Sequence, residues 1–246
     1  MYDMNFQNKV YIVTGSASGI GKSAAEKLLE SEATVIGIDK QKSSIENSRY
    51  HHYMASITDE AKIKSIVNEV VEKFGRIDIL INNAGTGAVA PAEDITDEQF
   101  ENEINIDLFG SFKVARAVAK KAMIPAGYGR VINIASMYGL VGNKIAGSAP
   151  YHAAKGGVVN LTRALAAEWG KYGITVNSIC PGYFYTPLTK ETLDSDFFQK
   201  NAKTMIPMER YGNEGELDSA AIFLSSPASS YVTGVMLPVD GGYTCM

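Results

Sequence analysis

Tyr151 and Lys155 are the residues whose types and spacing most directly suggest chemistry. They lie four positions apart in a segment predicted to be helical, so both side chains project from the same helix face. A phenol can exchange a proton, and a nearby ammonium favours its ionised form. The pair could therefore handle a proton at one site. A Tyr-x-x-x-Lys spacing is common, however, and by itself usually marks only two surface neighbours.

A glycine-rich turn near the N-terminus has the context of a nucleotide-binding loop. The apolar, strand-like run 10–13 precedes it, and apolar residues at helical spacing follow it. Glycines let a backbone approach a pyrophosphate, and the start of a helix offers free N–H groups and a positive dipole. The alternative is a turn whose glycines serve only its own conformation. The predicted cofactor contacts of this turn are Gly15, Ser18, Gly19, Ile20 and Gly21.

Asp39 ends the second predicted strand, about 20 residues beyond the glycines, where an adenine ribose lies in dinucleotide-binding folds. Its oxygens can accept both ribose hydroxyls, and its charge would repel a 2′-phosphate. The position therefore predicts NAD as the cofactor, with NADP the less favoured alternative. Two observations keep the alternatives open. Asp39 could be a simple turn aspartate, and the cation of Lys40 could hold a phosphate.

Short apolar runs alternate with segments of helical periodicity along the whole chain. This alternation predicts an α/β fold, a Rossmann-like doubly wound parallel sheet of about seven strands with helices on both faces. Such sheets bind ligands outside the carboxyl ends of their strands. The predicted strands are 10–13, 33–38, 50–55, 77–81, 131–135, 174–179 and 235–239. The predicted helices start at 58, span 96–123, 149–172 and 218–224, and include a short helix within 188–205.

The composition indicates one globular domain spanning residues 1–246. Hydrophobic residues make up 46% of the 246 positions, as in proteins with a sizeable core. A net charge of −4 leaves no basic footprint for nucleic acid or an anionic membrane. No apolar run approaches the roughly 18 residues of a membrane span. Because the first residues also lack a signal-peptide pattern, we expect a soluble, cytoplasmic protein without nucleic-acid or membrane partners.

Neither the cysteines nor the histidines predict a metal site. Cys180 and Cys245 are too few for a disulfide framework or a cysteine zinc site, and they favour free thiols in a reducing compartment. His51 and His52 are adjacent on a predicted strand, so their side chains point to opposite faces. We therefore expect no bound metal.

Six motifs occur in a characteristic order. They are Thr14-Gly15-x-x-x-Gly19-x-Gly21, Asn82-Asn83-Ala84-Gly85, Ser136, Tyr151-x-x-x-Lys155, Pro181-Gly182 and Asp240-Gly241-Gly242. Together they resemble the short-chain dehydrogenase/reductase family, and the resemblance covers essentially the whole chain. It implies an NAD(P)-dependent oxidoreductase that interconverts a secondary alcohol and a ketone by hydride transfer.

The resemblance also implies roles for individual residues. Tyr151 would exchange a proton with the substrate oxygen, Ser136 would hold that oxygen, and Lys155 would assist Tyr151 and hold the nicotinamide ribose. A free tyrosine has a pKa of about 10, so ionisation near neutral pH needs roughly 3–4 kcal/mol. An ammonium about 4 Å away supplies on the order of 4 kcal/mol at an effective dielectric of 20, which is sufficient. The further cofactor contacts implied are Asn83, Ala84, Gly85, Tyr151, Lys155, Pro181, Gly182 and Thr186.

Two positions depart from the family pattern. Asp107 stands where the family has the asparagine that is its fourth catalytic residue, and the register of Gly110 and Phe112 excludes Asn105 from that role. The family asparagine is understood to act through its main-chain carbonyl, which an aspartate can preserve. The carboxylate could also steady Lys155 in its charged form and oppose ionisation of Tyr151. Ser56 replaces the usual adenine-contacting aspartate, so a weaker or differently placed adenine contact follows.

The substrate is expected to lie between two loops, at about 137–150 and 183–205. The spacing from Ser136 to Tyr151 suggests that the first loop is enlarged. Aromatic walls with a few hydroxyls suit a cyclic alcohol, a polyol or sugar, or a steroid-like compound. The predicted substrate contacts are Ser136, Met137, Tyr138, Asn143 and Tyr183, with Tyr185, Leu188, Leu193 and Phe197 as further candidates for the pocket.

The resemblance implies a homotetramer in which helices 96–123 and 149–172 pair between subunits. Two alternative functions remain. One is a cofactor-binding regulator that has lost catalysis, for which Asp107 is the only support. The other is an epimerase or dehydratase of the same superfamily, although such relatives tend to be longer and carry an added substrate domain.

Overall fold

The structure, a computed structural model, describes residues 6–87, 89–144 and 147–246, with the backbone alone at residues 202 and 203. Its centre is a parallel sheet of seven strands in the order β3-β2-β1-β4-β5-β6-β7. The predicted fold class is therefore confirmed. The strands are β1 (Val10–Thr14), β2 (Thr34–Asp39), β3 (Tyr50–Met54), β4 (Ile79–Asn82), β5 (Gly129–Ile134), β6 (Ile174–Pro181) and β7 (Met236–Val239).

Helices connect the strands and cover both faces of the sheet. The α-helices in the described residues are α1 (Gly19–Glu30), α2 (Glu60–Phe74), α3 (Asp97–Glu103), α4 (Ser111–Val118), α5 (Ile124–Ala126), α6 (Ala149–Trp169), α7 (Lys190–Asp194), α8 (Asp196–Met205) and α9 (Asp218–Ser225). Two π-helical segments, Ile104–Gly110 and Ala119–Met123, join α3, α4 and α5 end to end. None of the helices in the described ranges is long and apolar enough to cross a membrane.

The helix boundaries follow their capping residues. Asp59 caps α2 by accepting the Lys62 N–H, and Gly75 ends that helix in the left-handed conformation. Thr96 forms a capping box with Gln99 at the start of α3. The prediction of one short helix within 188–205 was wrong, because α7 and α8 are separate helices interrupted at Ser195, whose backbone is extended.

The sheet is buried on both faces, which explains why β1 and β4 are almost entirely apolar. Every residue of β1, β4, β5 and β6 is buried. Val10 and Ile12 of β1 pack on one side in a core with α2, α4 and α6. Tyr11 and Val13 alternate to the other side, in a core with α1 and α9. The two cores hold the sheet between layers of helices.

The strand order reverses direction between β1 and β4, and this positions the site. β1 pairs with β2 on one side and with β4 on the other, so the connections after β1 and β4 leave toward opposite sides and open a crevice. Thr14 Oγ1 accepts the N–H groups of Asn83 and Ala84, each at 3.0 Å. The Asn83 amide donates to the carbonyls of Thr14 and Gly15. The glycine turn and the end of β4 are thus held together.

Candidate active site

A cleft of about 590 Å³ lies along the carboxyl ends of the strands. The segments after β1, β2, β4, β5 and β6 contribute to its wall, together with the first turns of α6. Nearly all the residues predicted to contact the cofactor line it; Gly21 does not. Those lining it are Gly15, Ser18, Gly19, Ile20, Asp39, Asn83, Ala84, Gly85, Tyr151, Lys155, Pro181, Gly182 and Thr186.

The glycine turn has the backbone geometry that a dinucleotide needs. Gly15 and Gly19 have φ of 68° and 54°, values that favour glycine. Gly21 has a different role, because a Cβ there would lie 2.2 Å from the Gly15 carbonyl oxygen and 2.4 Å from Asn83 Nδ2. Ser18 caps α1 without a side-chain hydrogen bond, and the first residues of that helix face the cleft. A pyrophosphate fits this helix start.

Asp39 is held by main-chain groups of two neighbouring turns. Its Oδ2 accepts the Ala17 N–H at 3.0 Å, and its Oδ1 accepts the Gln41 N–H at 2.9 Å. A carboxylate has about four acceptor sites, so these two bonds leave room for ribose hydroxyls. Lys40 is exposed and lines the same end of the cleft, as does Ser56, whose hydroxyl is 2.7 Å from that of Thr58.

Lys155 is a buried ammonium with a carboxylate beside it. Its Nζ lies 3.0 Å from Asp107 Oδ2, with side-chain exposures of 6% and 0%. The pair is a close ion contact, although its angles miss those of a hydrogen bond. Nζ also donates to the Ile134 carbonyl at 3.2 Å and lies 5.5 Å from the centre of the Tyr151 ring. Burial disfavours the ammonium, but the negative charges of Asp107, Tyr151 and Glu103 outweigh it, so the pKa of Lys155 is raised.

Asp107 turns its carboxylate toward the lysine from the first π-helical segment. Its Oδ1 accepts the Thr86 N–H at 2.7 Å, and its main-chain oxygen accepts the Ser111 hydroxyl at 2.9 Å. The extra residue of a π turn changes which side chains face inward, and such turns often occur at functional sites. The group beside Lys155 is therefore the side-chain carboxylate. Asn105, two residues earlier, is exposed.

Ser136 and Tyr151 line the same cleft as Lys155. Ser136 follows β5 and is 6% exposed, and its Oγ accepts the Tyr138 N–H at 3.1 Å. That bond uses an acceptor site and leaves the hydroxyl hydrogen for a ligand. Tyr151 lies in the first turn of α6, one turn before Lys155, and is half-buried. The arrangement offers a hydrogen-bond donor, a phenol and an ammonium around one space.

Comparison with known proteins agrees with this geometry. A family model described as enoyl-(acyl carrier protein) reductase matches residues 15–244. The 3-oxoacyl-(acyl-carrier-protein) reductase of Thermotoga maritima is 35% identical, over 97% of this chain and 99% of that protein. The chain belongs to the short-chain dehydrogenase/reductase family. Members of this family are oxidoreductases that use nicotinamide cofactors.

Other family members of similar length are named for polyhydroxylated compounds. The NAD-dependent glycerol dehydrogenase of Listeria innocua is 36% identical, over 98% of this chain and 96% of its own. The structure of a gluconate 5-dehydrogenase from Burkholderia cenocepacia in complex with NADP and tartrate superposes with a TM-score of 0.92. That protein is 33% identical, and the match covers 99% of this chain and 98% of the other.

The residues predicted to contact the substrate do not all lie in the cleft. Ser136 lines the cleft, whereas Met137, Tyr138, Asn143 and Tyr183 are not among the residues that line it, and Met137 is 2% exposed. The hydroxyls of Tyr138 and Tyr183 contact each other, and burial raises the pKa of both phenols. Asn143 is partly buried. The predicted loop 137–150 also contains residues 145 and 146, which lie outside the described residues.

The further candidates for the substrate pocket also differ in whether they line the cleft. Leu188 lines the cleft, but Leu193 is fully buried in a small core with Phe198 and Ile206. The described ranges hold no group of three or more His, Cys, Asp or Glu side chains that could bind a metal ion. Among the described residues, the predicted substrate loop 183–205 therefore lines the cleft in part, and no residue of the loop 137–150 is among those that line it.

Sequence reasoning missed three residues near the site. Thr86 fixes the Asp107 carboxylate through its N–H, and no side-chain pattern could have revealed a main-chain donor. Tyr243, close to the C-terminus, packs edge-on against both Tyr138 and Tyr183. Glu103 is 1% exposed, four positions before Asp107. No pattern in the sequence distinguishes it, because Glu101, Asn102 and Asn105 around it are polar too.

Asp107→Asn is expected to change the rate of the oxidation reaction by less than about tenfold near neutral pH, or under 1.4 kcal/mol in the barrier. The amide oxygen can still accept the Thr86 N–H. The alkaline limb of the rate profile should move to lower pH, because Lys155 loses the carboxylate that raises its pKa. The measurement is kcat/KM for alcohol oxidation across the neutral and alkaline range.

Asp97→Asn is the matched control for this change, since it removes the same charge from an exposed position at the start of α3. Its profile should coincide with that of the unaltered protein. A hundredfold loss of kcat/KM near neutral pH in Asp107→Asn would contradict the expectation. It would show that the carboxylate takes a direct part in the reaction.

Proposed function

We propose that this protein is an NAD-preferring dehydrogenase that interconverts a secondary alcohol and its ketone. The observation that carries the proposal is the convergence of Ser136, Tyr151 and Lys155 on one cleft, which the glycine turn and Asp39 also line. Three side chains, one just after β5 and two in the first turns of α6, supply the functional groups that proton transfer beside a nicotinamide requires.

In the proposed mechanism the bound nicotinamide supplies or accepts the hydride. Ser136 donates a hydrogen bond that fixes the substrate oxygen, and Tyr151 Oη takes the hydroxyl proton during oxidation or returns it during reduction. Lys155 stabilises the phenolate with its ammonium and binds the nicotinamide ribose. Asp107 compensates the buried charge of Lys155, to which it lies at 3.0 Å. Negative and positive charges thus alternate from Asp107 through Lys155 to the Tyr151 phenolate.

We propose a polyol or sugar as the substrate. Support comes from the family members named for glycerol and gluconate. A cyclic alcohol and a steroid-like compound are the other candidates. A 3-oxoacyl thioester is a further one, because a reductase of such thioesters is 35% identical.

The test is a screen of these four compound classes with NAD and NADP, in both reaction directions, followed spectroscopically at the reduced nicotinamide. Turnover of polyols well above the other classes would support the substrate proposal. Binding of cofactor without turnover of any alcohol or ketone would instead favour a cofactor-binding regulator, and conversion of a sugar without net cofactor reduction would favour an epimerase or dehydratase.

The same screen tests the cofactor preference. A 2′-phosphate beside Asp39 is expected to cost about 1–3 kcal/mol, by analogy with like charges in contact. NAD should therefore have the higher kcat/KM. Asp39→Asn keeps one acceptor oxygen, enough for either the Ala17 or the Gln41 N–H group, and removes the charge, so it should narrow the ratio of kcat/KM between NAD and NADP. A tenfold preference for NADP in the unaltered protein would overturn the proposal, and would point to Lys40.

We also propose that the protein works in the cytoplasm as a homotetramer. Both cysteines are free thiols, as a reducing compartment favours. Phe100 and Phe109 are 40% and 46% exposed along the helical run of α3 and α4, where an apolar contact between subunits would cover them. Light scattering of the purified protein measures the assembly directly, and a stable monomer would contradict it.

A further inference from the structure

A closed set of hydrogen bonds surrounds Asp39 and joins three segments of the chain. Asp39 itself makes two of these bonds, accepting the N–H groups of Ala17 in the glycine turn and of Gln41 in the loop after β2. Side chains of β3 join the same two segments a second time. At the glycine turn, the Ser16 hydroxyl oxygen lies 3.0 Å from that of Tyr50. The turn is therefore bonded both to Asp39 and to the edge strand of the sheet.

His52 closes this set at the loop after β2. It lies two positions beyond Tyr50 on β3, so both side chains point to the same face, and their rings stack with centres 6.0 Å apart. Its Nδ1 lies 3.2 Å from the Tyr50 hydroxyl oxygen, and its Nε2 lies 2.8 Å from the Gln41 carbonyl oxygen. We refer to the whole set as the Asp39 network, whose members are Ser16, Ala17, Asp39, Gln41, Tyr50 and His52.

The Gln41 carbonyl fixes the direction of the hydrogen bonds that the three side chains make. A carbonyl oxygen only accepts, so Nε2 of His52 carries the hydrogen that it donates. In the neutral imidazole Nδ1 is then an acceptor, and the Tyr50 hydroxyl donates to it. The Tyr50 oxygen in turn accepts the hydrogen of the Ser16 hydroxyl. Each of the three side chains thus uses its polar hydrogen within the network.

The backbone of β2 leaves room for the two hydroxyls of the network. Ser16 is 0% exposed and Tyr50 is 9% exposed, so each hydroxyl has lost most of its water and needs a partner in the protein. A Cβ at Gly37 would lie 2.1 Å from the Tyr50 hydroxyl oxygen and 2.4 Å from that of Ser16. A glycine inside a strand often marks such a close approach. Any other side chain at this position would push the two hydroxyls out of place.

We propose that Tyr50 and His52 are positioning residues for the cofactor, which hold the Asp39 carboxylate where it accepts the hydroxyls of the adenine ribose and thereby favour NAD over NADP. This role rests on the proposed function, which places the adenine ribose at Asp39. Tyr50 and His52 are not among the residues that line the cleft. They act through Asp39 and Gln41, which do line it.

The physical basis of this role is order that exists before the cofactor binds. Residues 42–47 form neither helix nor strand, so the loop after Asp39 has no regular structure to hold it. The network fixes that loop to the glycine turn and to β3. A site ordered in advance avoids the entropic cost of ordering on binding. With the network opened, a ribose must order Asp39 and Gln41 as it binds, and its affinity falls.

Tyr50→Phe opens the network and keeps the aromatic ring. The Kd of NADH, measured from its fluorescence, should rise about fivefold, as expected when the net contribution of a hydrogen bond is lost. The Kd of NADPH should change little, because a less firmly held carboxylate also repels the 2′-phosphate less. The kcat at saturating NAD should stay at its original value. An unchanged Kd of NADH, or an equal rise for both cofactors, would overturn the proposal.

Tyr53→Phe is the matched control, since it removes a hydroxyl from the same strand that donates to Glu69, outside the network. Both of its dissociation constants should equal those of the unaltered protein. If Tyr50→Phe fails to fold, Ser16→Ala opens the network from the glycine turn and should give the same selective rise for NADH.

Two substitutions of His52 separate hydrogen bonding from shape. His52→Phe keeps a flat ring but removes both nitrogens, and it should raise the Kd of NADH as much as Tyr50→Phe does. His52→Gln retains a donor for the Gln41 carbonyl and should restore most of the affinity. His51→Phe is the control, because the ring of His51 packs on Phe74 and not on the network. Equal losses in His52→Gln and His52→Phe would contradict the role of the hydrogen bonds.

Amide hydrogen exchange tests the network without substrate or cofactor. The N–H groups of Ala17 and Gln41 are the two that Asp39 accepts, and NMR follows their exchange in the cofactor-free protein. Both should exchange faster in Tyr50→Phe than in the unaltered protein, and at the original rate in Tyr53→Phe. Unchanged exchange in Tyr50→Phe would overturn the proposal. A protein that binds no dinucleotide, or prefers NADP, refutes the proposed function instead, and the exchange rates then decide whether the network holds Asp39.

Discussion

Tyr151→Phe is expected to abolish turnover while leaving cofactor binding nearly unchanged. Only the hydroxyl is removed, so the ring remains in the first turn of α6 and over the Lys155 ammonium. Loss of a positioned general acid or base lowers rates by on the order of 10²–10⁴-fold. The measurements are kcat with the best substrate of the screen, and the Kd of the reduced cofactor from its fluorescence.

Tyr172→Phe is the matched control for this prediction. Tyr172 lies in the 3₁₀ turn after α6 and is 37% exposed, so the same chemical change there should leave kcat and Kd at their original values. Full activity in Tyr151→Phe would refute the proposed mechanism outright. A large loss of cofactor affinity in that variant would show that the hydroxyl contributes mainly to binding.

Lys155→Met is expected to lower the rate, the affinity for cofactor and the stability of the fold together. Asp107 is fully buried, and removing Lys155 leaves its charge without a cation. Breaking a buried ion pair in this way typically costs about 3–5 kcal/mol. The measurements are kcat, cofactor Kd and the free energy of unfolding in denaturant, with Lys171→Met as an exposed control of the same chemistry.

The double variant Lys155→Met/Asp107→Asn separates the causes. With both charges removed, most of the lost stability should return, while activity should stay absent. A double variant no more stable than Lys155→Met would contradict the assignment of the loss to an uncompensated carboxylate. Full activity in Lys155→Met would contradict the proposed role of the ammonium.

The stability from this ion pair has a defined pH dependence. The folded protein raises the pKa of Lys155, so the folded state holds its proton more tightly than the unfolded chain does. The contribution is complete below the pKa of a free lysine, about 10.4, and is lost as the pH rises through the raised value. The difference in stability between the unaltered protein and Lys155→Met should therefore persist throughout the neutral range.

The architecture could be predicted because its signals are local. Strands such as β1 and β4 are buried on both faces, and such strands are nearly continuous apolar runs in the sequence. Capping residues such as Asp59 and Thr96 act within a single turn, so the starts of α2 and α3 were predicted closely. The region 188–205 was less predictable, since the break at Ser195 between α7 and α8 has no glycine or proline to mark it.

The sequence by itself determined the order of the elements, the glycine turn, the carboxylate after β2 and the placement of Tyr151 one turn before Lys155, because each depends on residues close along the chain. Only the tertiary structure decided which part of Asp107 meets Lys155. Asp107 is about 50 positions before Lys155 in the chain, and its side-chain direction depends on the π turn and on how that turn packs against α6. The spacing of residues along the chain cannot reveal such a contact, because the free energy that stabilises it comes from burying the π-helical segment and α6 against each other.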